Sequence, residues 1–190
     1  MRTSEVKANT MLERMGFRDN ELGSPVHDDL TIALHQQLPP ILRGYCITDR
    51  DGEKHYVKVL SSVVESPITK GLRQFKAIVG FVDLELTLEV PYKSSSGSTS
   101  NPTVSWETVR LLFEVKETIQ IGPLLRQLQT YREFANCTES EKEGVAYFWV
   151  ACPHATYSTL IQEQGFGFIS LFNPLHIQIP ADHDLRNFGF

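Results

Sequence analysis

Three residues of this 190-residue chain, Asp83, Glu114 and Lys116, have the types and spacing that metal-assisted hydrolysis of a phosphodiester needs. Glu114 and Lys116 are two apart, so on a strand their side chains leave from one face. If the strand carrying Asp83 folds back antiparallel to the strand carrying Glu114, the two carboxylates meet near the open end of the hairpin. Two carboxylates so close repel at neutral pH, and a hard divalent cation relieves the repulsion. Mg2+ takes one or two carboxylates and keeps several waters, one of which can serve as the nucleophile. A lysine beside them can position or help deprotonate that water, and can stabilise negative charge developing on a phosphate. The competing reading of the same residues is a cross-strand salt bridge on an exposed hairpin face, worth at most about 1 kcal/mol.

The elements that must position these residues can be read from periodicity. Residues 78 to 90 alternate strictly, with Val82, Leu84, Leu86, Leu88 and Val90 on one parity and Asp83, Glu85, Thr87 and Glu89 on the other, the pattern of a strand with one polar face. Residues 93 to 103 begin with the Ser/Gly/Asn-rich run KSSSGSTSNP, which reads as a flexible hairpin loop. Residues 106 to 118 return as the second strand. Gly122-Pro123 opens a helix whose Leu124, Leu128, Tyr131 and Ala135 make an apolar stripe, and Gln127 and Tyr131, four apart, share a face. Such a helix can hold an amide and a phenol over the hairpin.

Around this centre, residues 4 to 15 and His27 to Leu38 read as helices, the second ended by Pro39-Pro40. Residues 45 to 64 read as a hairpin around Asp51-Gly52. VAYFWVAC at residues 145 to 152 has the continuous apolar run of a strand buried on both faces. A helix over residues 153 to 164 and a strand over 167 to 172 follow, completing a βαβ unit, and the tail 173 to 190 shows no usable period. The order indicates a single α/β domain, residues 1 to 190, with a mixed central sheet flanked by helices.

Asp83, the FEVK stretch from Phe113 to Lys116, and RQLQTYREF from Arg126 to Phe134 together resemble the PD-(D/E)XK nuclease superfamily, the restriction-endonuclease-like fold, in its subgroup with a Gln-xxx-Tyr helix motif. The resemblance covers about residues 55 to 172 and implies an αβββαβ core. It implies that Asp83, Glu114 and the carbonyl of Val115 hold Mg2+ or Mn2+. It further implies that Lys116 is the catalytic lysine and that Gln127 and Tyr131 orient substrate or lysine. Glu13, Asp28 and Glu65 are the candidates for an additional acidic member. No proline precedes Asp83, and the Ser/Gly/Asn loop lengthens the span to Glu114. The activity implied is DNA phosphodiester hydrolysis, endo- or exonucleolytic. The alternative is a non-catalytic module of the same fold that binds nucleic acid or a protein partner.

Charge bears on the substrate. The chain carries a net charge of -5, but Lys54 to Lys76 alone is +4, leaving the remainder at -9. Lys70, Arg73 and Lys76, with Arg126 on the helix, are the candidate DNA contacts; the competing reading is an ordinary solvated surface. Composition near the globular average excludes disordered and fibrous classes. With neither an apolar signal core nor a run long enough to span a bilayer, a cytoplasmic protein without a membrane partner is expected. The three cysteines offer neither a disulfide framework nor a zinc pattern. Homodimers or larger complexes are expected by analogy with small nucleases.

Other residues offer weaker chemistry. His27 and Asp28 can ligate a metal, but they read first as helix-capping and solvated residues. Cys152 beside His154 reads as core plus a helix start, Gly165-Phe166-Gly167 as a turn, and Trp106 and Trp149 as core.

Overall fold

The computed structural model describes residues 25–70, 77–94, 103–135, 144–171 and 176–178. The chain enters through α1 (Pro25–Leu42), then a small hairpin of β1 (Cys46–Thr48) and β2 (Lys54–Tyr56). Three long strands follow: β3 (Lys58–Lys70), β4 (Ala77–Ser94) and β5 (Thr103–Val115). After α2 (Ile121–Ala135) come β6 (Val145–Cys152), the short α3 (Ser158–Glu163), β7 (Gly167–Ser170) and β8 (His176–Gln178). β3 to β8 form one mixed sheet in sequential order. β3, β4 and β5 are an antiparallel meander, β6 and β7 run parallel to β5, and β8 is antiparallel to β7.

Two cores sandwich the sheet. On one face Leu34, Leu38 and Leu42 of α1 pack on Leu84, Leu86, Leu88, Leu111, Phe113 and Trp149. On the other, Leu124, Leu128 and Tyr131 of α2 pack with Ile68, Val82, Leu112, Phe148, Val150, Ile161 of α3 and Phe166 beyond its end. β6 is buried along nearly its whole length, as the apolar run requires. Among the described residues, no helix is long and apolar enough to cross a membrane.

Several boundaries differ from the sequence reading for identifiable reasons. α1 does not stop at Pro39-Pro40; it continues to Leu42. The two prolines remove backbone donors, but Leu38 and Leu42, each 1% exposed, bury the last turn on the sheet, and Arg43 N–H bonds to Pro39 O at 3.1 Å. Tertiary burial outweighs the local penalty. The segment after Pro153 is not helical until Ser158; a turn closed by Ser158 N–H to Ala155 O at 3.0 Å precedes it. His154 is therefore not a helix-start residue, whereas Cys152 is core at 1% exposure. β5 ends at Val115, three residues short of expectation, and the tail contributes β8. Trp149 is core at 1% exposure, but Trp106 is not: it is 39% exposed, with the Lys58 ammonium 4.0 Å above its ring. The 4-to-15 helix, most of the Ser/Gly/Asn loop, and Glu13, Arg73 and Lys76 lie outside the described residues.

Candidate active site

The β4–β5 ladder runs from Ser94↔Thr103 near the tip to Leu84↔Phe113. Just past that last pair the strands part, and the Asp83 side chain takes the place of a ladder acceptor: Val115 N–H donates to Asp83 Oδ2 at 2.6 Å. This bond ties the aspartate to the backbone between Glu114 and Lys116. The meeting of Asp83 with the Glu-x-Lys stretch at the open end of the hairpin, expected from strand pairing, is therefore present.

The same row interrupts the alternation of the sheet. Val82 packs under α2 and Leu84 under α1, although residues two apart on a straight strand share a face. On β3, Ser62 bonds to His35 of α1 at 2.6 Å, whereas Ile68 packs under α2. Between them lies Glu65, held at φ 56°. The flanking pairs Val64↔Leu84 and Ser66↔Val82 set Glu65 opposite Asp83. Both strands thus change face where the acidic side chains sit, as irregularities beside functional sites commonly re-aim side chains.

Glu114 is the most constrained member. It is 1% exposed; its Oε2 accepts from Lys116 Nζ at 2.8 Å, while its Oε1 is buried without a hydrogen-bond partner. Burial above all, with the charge of Asp83 added, pushes its carboxyl up to about 7, against the opposing pull of Lys116 and His27. Burial alone would lower the Lys116 ammonium, but the charges of Glu114 and Asp83 and the bond to Glu114 outweigh it and hold its pKa above the ordinary value. Lys116 is therefore a protonated side chain near neutral pH, able to donate and to stabilise negative charge but not to take a proton from water.

A fourth member comes from α1. His27 Nε2 lies 3.3 Å from Asp83 Oδ1, and its Nδ1 is 3.4 Å from Asp28 Oδ1. The hydrogen bond with Asp83 is the main cause that raises His27 to about 9; burial opposes, and the Asp83 charge and the Asp28 bond add. His27 and Asp28 were legible only as weak candidates, because nothing local says that the start of α1 lands on β4. Asp28 is exposed and its charge reaches Glu65. Glu65 is exposed overall, yet partial desolvation of its carboxyl, followed by the charges of Asp28 and Asp83, raises its pKa.

Gln127 and Tyr131 pair with each other: Gln127 Nε2 donates to the Tyr131 hydroxyl at 3.2 Å. The hydroxyl presses on β4 at Gly80, where a Cβ would stand 2.1 Å from it. Burial chiefly raises the Tyr131 phenol, and the charges of Glu114, Lys116 and Asp83 reach it, so the pair lies beside the site rather than remote from it. Arg126 is exposed on α2. Lys70 ends β3, opposite Ala77.

A second grouping was not foreseen. Asp49, Glu53 and His55 place ligand atoms within 4.8 Å of one another. Asp49 Oδ1 accepts from the backbone of Asp51 and Glu53 at 3.0 and 2.8 Å, and Oδ2 bonds to His55 at 2.9 Å, so closure of the β1–β2 turn accounts for the grouping. The polar face of β4 is likewise less open than its alternation suggests, since Glu85 is buried between Ser66 and Arg110, whose Nε is 2.7 Å away.

Comparisons of the chain with protein-family models, with curated proteins and with solved structures find no match.

Proposed function

We propose that the chain is a metal-dependent nuclease of restriction-endonuclease-like fold that hydrolyses DNA phosphodiester bonds. One observation carries the reading: a glutamate carboxylate, almost wholly buried beside Asp83, keeps one oxygen without a partner and a pKa lifted to about 7. A buried carboxylate left in that condition costs free energy unless something absent from the polypeptide compensates it. Lys116 and His27 supply part of the compensation, and a divalent cation suits the remainder. The helix, three-strand meander, helix and parallel strand from α1 to β6 support the αβββαβ reading.

The donor set fits a hard cation: Asp83 and Glu114 would hold it, with the main-chain carbonyl of Val115. When bound, Mg2+ or Mn2+ supplies Lewis acidity toward the phosphate and lowers the pKa of water. Lys116 orients and stabilises the charge that develops on the phosphoryl oxygens. Tyr131, held by Gln127, braces α2 against β4 at Gly80 and so fixes the distance between α2 and the site.

Replacing Lys116 with alanine should preserve the fold and cut divalent-dependent cleavage of plasmid or single-stranded DNA by about 10²-fold or more. A wild-type protein inert with Mg2+ and Mn2+ across a range of DNA substrates removes the enzyme reading. The second reading, a binding module of the same fold, draws on the ion pair that His27 already makes with Asp83. It predicts no Mn2+ binding heat that is lost in Asp83→Asn.

A further inference from the structure

We infer that Glu85, pinned by Ser66 and Arg110, is a positioning residue of this site: it braces the sheet across the row where β3 and β4 change face, and so keeps Asp83 aimed at the Glu-x-Lys stretch. The inference rests on the proposal above only for the use made of Asp83, the holding of a cation. Glu85 lies on the face opposite Leu84 and Leu86. Its partner across the β4–β5 ladder is Leu112, which belongs to the α2 core. One carboxylate oxygen accepts from the Ser66 hydroxyl, and the other accepts from Arg110 Nε at 2.7 Å. Ser66 and Glu85 are both buried.

Placement gives this network its reach. Ser66 pairs with Val82, on one side of Asp83, whereas Glu85 lies on the other side, beyond Leu84. The Ser66–Glu85 bond therefore spans the row that holds Asp83. Arg110 stands opposite Thr87 on β5, the strand that also carries Glu114, so the bonds run diagonally from β3 through β4 to β5. They tie the strand of one carboxylate to the strand of the other. Regular pairing does not do this at the row itself, where Glu65 is held at φ 56° and the Asp83 side chain receives Val115 N–H at 2.6 Å.

Energetics explain why a charge stands there. A buried ion pair contributes little net stability, and apolar side chains of similar volume often replace one without loss. Beside Leu112 an apolar side chain would satisfy burial at this position. What it would lack is direction. Hydrogen bonds to a charged group are short and geometrically specific, and two of them, from the strands on either side, set the offset of β4 against both neighbours. Partners that orient a metal-binding carboxylate act in the same way, by fixing its place rather than by touching the ion.

The test compares the full wild-type chain with the paired replacement of Glu85→Leu and Arg110→Met, and with Ser66→Ala, which keeps the ion pair and cuts only the bond across the row. Amide hydrogen exchange at Val115 in the metal-free protein reports how firmly Asp83 is aimed, and calorimetry reports Mn2+ affinity. Val115 should exchange faster in both variants, and both should bind Mn2+ about tenfold more weakly, the size of effect that outer partners of a metal site exert. The paired replacement should meanwhile keep its metal-free unfolding midpoint, a combination that a merely structural ion pair cannot produce. Val115 exchange unchanged in both variants, or Mn2+ affinity equal to wild type in both, overturns the inference and leaves the nuclease proposal standing. The predicted effects in a protein that cleaves no DNA do the reverse. A wild type that binds no Mn2+ removes the cation reading, and Val115 exchange alone then decides whether Glu85 braces Asp83.

Discussion

Replacing Glu114 with glutamine should make the metal-free protein more stable at alkaline pH, and the size of the gain follows from the burial of this carboxylate. Its pKa rises from 4.5 to about 7 on folding. Between those values the folded chain keeps a proton that the unfolded chain has released, so stability falls as pH rises through the window, and the penalty is complete above about pH 7. At 1.36 kcal/mol per unit, ionised Glu114 costs the folded state about 3 kcal/mol. Glutamine removes that cost, which already contains the opposing pull of Lys116. The Lys116 side chain is 29% exposed and can turn to water, so the offset is the imperfect pairing of a buried amide, about 1 to 2 kcal/mol. The net gain at about pH 8 is then about 1 to 2 kcal/mol, or an unfolding midpoint higher by about 3 to 6 °C for a chain of this size. Near pH 5, where Glu114 is protonated in the folded wild type, the gain should vanish. His27, raised to about 9, contributes stability that is full below about pH 6.5 and lost as pH rises through 9; it is present in both proteins and largely cancels from their difference. Thermal unfolding by circular dichroism in the presence of a chelator, at several pH values, measures the difference directly. Saturating Mn2+ should then raise the wild-type midpoint more than that of the variant. A Glu114→Gln protein less stable than wild type at pH 8, or a difference that does not change with pH, refutes the account of the buried charge.

Gly80→Ala should destabilise by about 1 to 3 kcal/mol, because the new methyl would stand 2.1 Å from the Tyr131 hydroxyl and 2.5 Å from its ring carbon; an unchanged midpoint would mean that α2 is free to move away from β4. Neutralising Lys70, Arg73 and Lys76 together should weaken DNA binding and flatten its dependence on salt by about two to three in the log–log slope. Fluorescence anisotropy in a non-cleaving ion such as Ca2+ reads both, and unaltered affinity would return these residues to an ordinary solvated surface.

Much of the site was legible because it obeys short-range rules. The two-residue spacing of Glu114 and Lys116 fixes a common side of the chain whatever the rest of the fold does. The apolar run of β6 and the stripe of α2 follow from burial and period, so their bounds were close. Trp106 and Trp149 show the limit of such reading: both are large aromatic residues on strands, yet Trp149 sits under α1 beside Phe113 while Trp106 lies out along the β4–β5 extension under a lysine. Nothing local separates them. The prolines at residues 39 and 40 show the reverse error, a strong local stop overridden by two leucines with a sheet to bury against.

By itself, then, the sequence determined the pieces: the α/β order, the hairpin, and which carboxylates and lysine travel together. Only the tertiary structure decided their state. It laid the start of α1 on β4, so that His27 pairs with Asp83; it set Glu65 opposite that aspartate across the β3–β4 ladder; and it buried Glu114 until one oxygen had no partner. The physical reason is that spacing sets direction along one element, whereas desolvation and charge coupling depend on which elements meet. A residue's pKa and its unmet hydrogen bonds are properties of that meeting.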